Sequence, residues 1–493
     1  MSDSVDIRFF NMLTREKERF VPIESGKVRV YTCGPTVYDY AHIGNFRTFV
    51  FEDLLRRWLE FRGFRVLQVM NLTDVDDRTI AAAKKFNVPL AEHTKQFIDA
   101  FFEDLKALNV ERAEHYPRAT EHVPEMVTLI KKLLDKGYAY RAEDGSVYFD
   151  ISKFKDYGKL SKFKVEELKA GARVRADDYE KTEAEDFALW KAWTEEDGPV
   201  FWDTEIGKGR PGWHIECSAM SMKYLGETFD IHTGGVDNMF PHHENEIAQS
   251  EAATGKKFVN YWLHGEHLLV EGKRMAKRFG NYYTLRDLLS KGYDPMAVRY
   301  LLVSTHYRQQ FNFTFEGLSA AKSAVERLTN FVRRLSEASG NGSGEEIKQL
   351  MVKVRKDFDE AMDDDLNIGQ AMAALFEFVR DVNNLVDSGK LSKAEAGEVR
   401  ASMVEFDKVL GVIGEVKETV RETLSFTDHL FIVHVKGEQL SHEAEELIRL
   451  REEARKAKDW KRADEIRVLL KSMGIIIEDT AQGVRWHVEK KSS

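Results

Sequence analysis

The run Lys27-Val28-Arg29-Val30-Tyr31-Thr32-Cys33-Gly34-Pro35, then His42-Ile43-Gly44-Asn45, then Val66-Leu67-Gln68-Val69-Met70, decides the fold. Val28–Thr32 is short, apolar and β-prone. From Phe46 to Phe61 the apolar residues Phe46, Phe49, Val50, Leu54, Trp58 and Phe61 recur at helical spacing. Val66–Met70 reads as a second strand. Strand, helix, strand in this order predicts a βαβ unit, and such units build parallel sheets. Their ligands bind beyond the carboxyl ends of the strands. Cys33 and Asn71-Leu72-Thr73-Asp74 are therefore expected at one mouth.

Working outward, residues from about 118 to 205 break the alternation. They are rich in charge and aromatics (Lys153 to Lys169, Trp190, Trp193, Trp202) and predict an inserted subdomain. A second α/β stretch follows, with Phe229-Asp230-Ile231-His232 as a strand running into Thr233-Gly234-Gly235, and a helix from His242 to about Ala253. Residues 318 to about 415 are helical by pattern; one helix carries Ile368, Met372, Leu375, Phe376, Val379, Val382 and Leu385 on one face. Ser339–Gly344 is a flexible turn between two such helices. A basic amphipathic helix is expected from Leu447 to about Ser472, and 420–440 receives no element. The fold class is α/β. A Rossmann-type parallel-sheet domain in two halves (1–117 and 206–317) is split by an insertion (118–205), then followed by an all-α bundle (318–415) and a small C-terminal region (416–493).

The chain has 493 residues, 43% of them hydrophobic and 32% charged, enough for real cores. A formal net charge of -10 excludes a globally basic nucleic-acid or membrane binder, so any such surface is local. Two distant cysteines exclude a disulfide framework and point to a reducing cytosol. The N-terminus lacks the regions of a signal peptide, and no run of ~18 apolar residues occurs. A cytoplasmic protein without membrane spans is expected.

Four residues suit one metal. Cys217 lies in Pro211-Gly212-Trp213-His214-Ile215-Glu216-Cys217, upstream of Pro241-His242-His243-Glu244-Asn245-Glu246. Each cysteine alone reads as readily as core. His242 and Glu246, however, are i and i+4 on one helix face. Two thiols, an imidazole and a carboxylate make a tetrahedral zinc site. Three further features bear on ligands. His42-Ile43-Gly44-Asn45 opens a helix, whose free N–H groups hold phosphate, though an ordinary βα turn fits it too. Lys273-Arg274-Met275-Ala276-Lys277-Arg278 is either a solvated basic loop or one that closes on a triphosphate. Between 449 and 471, nine cations (Arg449, Arg451, Arg455, Lys456, Lys458, Lys461, Arg462, Arg467, Lys471) face five acids (Glu452, Glu453, Asp459, Asp464, Glu465). With Trp460 and Trp486 for stacking, this fits an RNA contact as well as a solvated face.

Together these residues resemble the cysteinyl-tRNA synthetases, class I enzymes of the aminoacyl-tRNA synthetase family, over nearly the whole chain. His42-Ile43-Gly44-Asn45 is similar to the HIGH signature, with Asn45 in place of the last histidine. Arg274-Met275-Ala276-Lys277-Arg278 is similar to the KMSKS loop, keeping Met275 and Lys277. Tyr31–Asp39, Asn71–Asp77, Gly209–Cys217 and Phe240–Glu246 resemble long family motifs, and Arg455–Trp460 with Gly474–Thr480 resemble its anticodon-binding region. The resemblance implies zinc on Cys33, Cys217, His242 and Glu246, one ion per chain, and cysteine contacts from Gly34, Thr73, Trp213 and Asp237. It implies ATP, with Mg2+, held by His42, Gly44, Asn45, Gly234, Gly235, Arg274, Met275 and Lys277. His42, Asn45 and Lys277 are the implied catalytic residues, and His214, His232 and His243 line the pocket. The implied reaction forms cysteinyl-adenylate and passes the cysteinyl group to the terminal adenosine of tRNA(Cys); a monomer is expected. The competing readings are the related cysteine ligase of mycothiol biosynthesis, which lacks the anticodon-binding end, and a non-catalytic tRNA-binding paralogue.

Overall fold

A computed structural model describes residues 6–162, 186–413, 421–426, 430–435, 442–480 and 483–488. The chain forms two compact units, residues 1–414 and 415–493.

The predicted βαβ unit is β1 (Lys27–Thr32), α1 (Ile43–Phe61) and β2 (Arg65–Met70). After the insertion come α2 (Trp213–Leu225), β3 (Phe229–Gly235), α3 (Glu244–Thr254) and β4 (Val259–Gly265). The sheet is parallel throughout, in the order β4-β3-β1-β2. Val30 stands opposite Ile231 on one side and Gln68 on the other, and Thr32 opposite Thr233 and Met70. Strands covered on both faces need nearly continuous apolar runs, which is why β1 and β2 are legible. α1 buries Phe46, Phe49, Val50, Leu54 and Trp58. It starts at Ile43, ahead of its first periodic residue, because His42 caps it.

The insertion is a five-stranded antiparallel sheet in the order 139–141, 147–149, 187–192, 207–211, 202–204. Its core of Phe149, Leu189, Trp190 and Ile206 packs with the helix Val123–Asp135. Strand Gly207–Pro211 extends beyond residue 205 and runs directly into α2 through Gly212, where a Cβ would lie 2.0 Å from the Ala188 carbonyl oxygen. That close approach fixes the start of α2, and hence Trp213 and Cys217.

Beyond the sheet lie α4 (Pro295–Val303), α5 (Phe315–Arg334), α6 (Glu345–Asp363), α7 (Ile368–Asp387) and α8 (Lys393–Leu410). On α7 Ile368, Met372, Leu375, Val379, Val382 and Leu385 are buried as expected, but Phe376 is half-exposed beneath Arg327 and Phe378 takes the core position. A buried ionic node ties α1 to these helices. Asp53 pairs with Arg57 at 2.8 Å and Arg299 at 2.5 Å, and the two guanidiniums also donate to the carbonyls of Lys408, Leu410, Leu108 and Asn109.

The smaller unit has strands Arg421–Phe426, Leu430–Val435, Ile475–Thr480 and Gly483–Val488 with helices α9 (His442–Lys456) and α10 (Trp460–Ser472). The single helix expected from Leu447 to Ser472 is thus two. Lys458 takes φ +60 and Asp459 caps α10 by accepting from the Arg462 amide, which ends one helix and starts the next. Two predicted surface residues point inward. Trp486 is 0% exposed and Arg451 only 3%, so neither is presented for RNA stacking or phosphate contact. Trp460, 58% exposed, stays on the surface. Among the described residues no helix is long and apolar enough to cross a membrane.

Candidate active site and metal centre

The carboxyl ends of β1 and β3 and the N-terminal part of α3 converge on Cys33. Its amide donates to the Thr233 carbonyl at 3.3 Å, continuing the β1–β3 ladder past the strand end. α2 brings Cys217, and the turn Met239–His243 with α3 brings His242 and Glu246. One ligand atom from each of these four lies within 4.8 Å of the others, and all four residues are buried. Glu246 Oε1 is 3.1 Å from His242 Nε2 but has no hydrogen-bond partner. A second group, Cys33, His232, His243 and Glu246, is equally compact. In it His232 Nε2 lies 3.0 Å from Glu246 Oε2 and His243 Nε2 lies 3.2 Å from Cys33 Sγ, so the two groups share Cys33 and Glu246 and differ in their other donors. His243 Nδ1 further contacts His264 Nε2 at 2.8 Å, a histidine that sequence reasoning missed.

Burial pushes the Cys33 and Cys217 thiols and the Glu246 carboxyl up. It pushes His242 well down, with His214 and His232 adding to the effect, and holds His232 and His264 at about 3. Acids and imidazoles packed this densely, their charged forms disfavoured by burial, suit a divalent cation, which would stabilise the carboxylate and draw off the thiol protons. The donor set of two sulfurs, one nitrogen and one oxygen, with an orphaned carboxylate oxygen, fits zinc.

Gly34, Thr73 and Trp213, three of the four expected cysteine contacts, adjoin this cluster. The Gly34 amide donates to Asn71 Oδ1 at 2.9 Å, and a Cβ at Gly34 would lie 1.8 Å from the Asn71 carbonyl oxygen, so the position excludes any side chain. The buried Thr73 hydroxyl donates to Glu216 Oε2 at 2.9 Å and accepts from Asn71 Nδ2 at 3.2 Å. Trp213 stacks on His242, centroids 4.2 Å apart, and His214 Nδ1 lies 3.0 Å from His242 Nδ1. Asp237 is exposed, just past Gly235. Buried Glu216, adjacent to Cys217, was not singled out by sequence because nothing local reveals its partner Thr73.

At the helix signature His42 and Asn45 form a reciprocal cap: His42 Nδ1 accepts from the Asn45 amide and Asn45 Oδ1 accepts from the His42 amide, both at 3.1 Å. Asn45 is thereby engaged in the helix end. With Nδ1 accepting, a neutral His42 ring carries its proton on Nε2. Burial, with Lys277 adding to it, lowers His42 to about 4, so the ring is neutral near pH 7. A Cβ on Gly44 would lie 2.9 Å from the His42 ring and 3.3 Å from Met275 Cε, so Gly44 lets the basic loop approach. Lys277 Nζ pairs with Asp39 at 2.6 Å and sits 5.0 Å from the Tyr282 ring, which meets His42 edge-on. Arg274 is exposed. Gly234 and Gly235 end β3; a Cβ there would meet His243 at 2.8 Å and Asp237 at 2.3 Å.

A parallel sheet with a HIGH-like helix end and a basic loop packed close to it is the catalytic architecture of the class I aminoacyl-tRNA synthetases. The profile of the "tRNA synthetases class I (C) catalytic domain" matches residues 19–323, that of the DALR domain residues 357–414, and that of the "Cysteinyl-tRNA ligase anticodon binding domain" residues 438–486. The fold is also that of Mycobacterium tuberculosis methionyl-tRNA synthetase bound to methionyl-adenylate, with TM-scores of 0.56 and 0.58 in two structures, 14% identity, and coverage of 78% of this chain and 90% of that one. The chain is 50% identical over 485 residues to the cysteine–tRNA ligase of Protochlamydia amoebophila, covering 98% of both. It is 50% identical over 491 residues to that of Brachyspira hyodysenteriae, covering 98% of this chain and 99% of the relative. The chain belongs to the cysteine–tRNA ligase family.

Proposed function

We propose that this ligase activates L-cysteine with ATP and transfers the cysteinyl group to the 3′-terminal adenosine of tRNA(Cys), selecting cysteine by its thiol at a zinc held by Cys33, Cys217, His242 and Glu246. The observation that carries this reading is the convergence of those four buried donors beside Gly34, Thr73 and Trp213. Zinc bound there would accept a thiolate and discriminate against serine's hydroxyl, whereas an apolar pocket separates near-isosteres by only about 10–200-fold. Gly34 and Thr73 orient the amino acid, and Trp213 packs over the imidazole of His242. The cysteine carboxylate attacks the α-phosphate of ATP, and pyrophosphate leaves. Neutral His42 donates its Nε2 proton in a hydrogen bond to a phosphate oxygen, while Lys277 exchanges Asp39 for phosphate as charge develops. Gly44, Gly234 and Gly235 leave room for the nucleotide, Asn45 fixes His42, and Arg274 and Met275 place the loop, with Mg2+ on the phosphates.

The C-terminal unit would read tRNA through the exposed Trp460 and the exposed cations of α9 and α10, which leaves the small-molecule ligase without a use for this region. The test is Cys217→Ser. Zinc retention and cysteine-dependent exchange of pyrophosphate into ATP are expected to vanish together. Undiminished exchange in a zinc-free variant contradicts the proposal.

A further inference from the structure

The turn at residues 158–161, within the insertion, is fixed by the same helix that supplies a proposed zinc ligand. Glu244 opens α3, midway in sequence between His242 and Glu246, and is 0% exposed. Its Oε1 accepts from the Gly158 amide at 2.9 Å. Its Oε2 accepts from the amides of Leu160 at 3.1 Å and Ser161 at 2.8 Å, and from the Ser161 hydroxyl at 2.8 Å. Four donors on one buried carboxylate, at a helix N-terminus whose dipole favours negative charge, make a strong and specific anchor. Neighbouring contacts hold the same segment. The Tyr157 hydroxyl donates to Asn245 Oδ1 at 2.5 Å, Lys159 pairs with Glu251, and Arg15 Nη2 donates to the Leu160 carbonyl at 3.0 Å.

Leu160 therefore has both backbone groups satisfied inside the protein, and its side chain is 0% exposed. That side chain belongs to the apolar cluster that also contains Tyr31, Cys33, Cys217, Met220 and Trp262. A turn that only joined two elements would leave its amides to water; this one turns them inward and drives a leucine into the cluster that holds both thiols. Gly158, at φ +92, permits the sharp bend that this requires. We propose that Glu244 is a positioning residue that clamps the 158–161 turn, so that Leu160 plugs the pocket of Cys33 and Cys217 and keeps it dry. One element then fixes both a ligand and the plug, and zinc exchanges only when the turn lifts.

This inference rests in part on the zinc reading, so its test has two arms on the full chain. In zinc-stripped protein, alkylation of the two thiols by iodoacetamide is followed by mass spectrometry; in zinc-loaded protein, zinc release to a chromogenic chelator is timed. Glu244→Ala and Leu160→Ala are each expected to accelerate both by roughly 10–100-fold, the range typical of lost metal-site supports. Lys159→Ala, which removes the peripheral pair with Glu251 and the approach to the Phe154 ring, is expected to change neither. Should Glu244→Ala misfold by circular dichroism, Leu160→Ala decides alone. Unchanged alkylation in a folded Leu160→Ala variant overturns the plug, whatever the zinc result. Wild-type protein that binds no zinc sinks the zinc reading instead, and the alkylation arm still decides the plug.

Discussion

Removing the carboxylate of Asp53 is expected to destabilise the larger unit far more than removing any surface charge. Asp53 is buried and meets two buried guanidiniums, Arg57 at 2.8 Å and Arg299 at 2.5 Å, while also accepting from the Glu111 amide at 2.7 Å. Burial pushes its carboxyl up, but Arg299 and Arg57 outweigh that and hold it below the usual carboxylate range. Asp53→Ala removes the ion pair of the fully buried Arg299 and leaves Arg57 with Glu111, a loss of about 3–5 kcal/mol. At about 2.1 cal/mol/K of unfolding entropy per residue, the roughly 400 residues of this unit give about 0.8 kcal/mol/K, so the midpoint falls about 4–6 °C. Calorimetry of the full chain reads this directly, with Asp99→Ala as control. Asp99 pairs with Lys95 on the surface, so its loss shifts the midpoint by less than about 1 °C. Because the folded Asp53 value is depressed, its contribution is present above the ordinary carboxylate range and fades as pH falls through the folded value. An Asp53→Ala midpoint as close to wild type as the Asp99→Ala midpoint would refute the reasoning.

Two further outcomes follow from the geometry. His42→Ala removes the neutral donor proposed for the reacting phosphate and is expected to slow pyrophosphate exchange about 10²–10³-fold in kcat; Lys277→Met should slow it comparably, and near-wild-type rates for either would remove that residue from the proposed chemistry. Glu395 accepts from the Ser392, Gly344 and Ser343 amides, which hold its carboxyl at about 2, with the Ser392 backbone contact the largest cause. Its folded value is depressed, so its stabilisation is present above the unfolded value of about 4.3 and is lost as pH falls from there through about 2. Thermal melts of Glu395→Gln against wild type should converge over that window, and a constant gap would contradict it.

The sequence made the parallel sheet legible because β1 and β2 are short apolar runs and α1 repeats its apolar residues at helical spacing. Cys33, Cys217, His242 and Glu246 were legible as a set only through their motifs, since each thiol alone resembles core. Charge-based reading failed where burial reversed exposure. Arg451 sits among surface cations in sequence but turns inward, and Trp486 is core although a basic helix precedes it. The break between α9 and α10 rests on one positive φ at Lys458, which periodicity does not register. Asp53 with Arg299, Thr73 with Glu216, and Glu244 with the 158–161 turn are long-range partnerships, and no local pattern announces them.

Charging of total tRNA with labelled amino acid by the zinc-loaded full chain and ATP tests the proposed activity and its selectivity together. Labelled cysteine is expected on tRNA(Cys) and labelled serine is not. No label from cysteine, or serine charged at a comparable rate, would contradict the proposal.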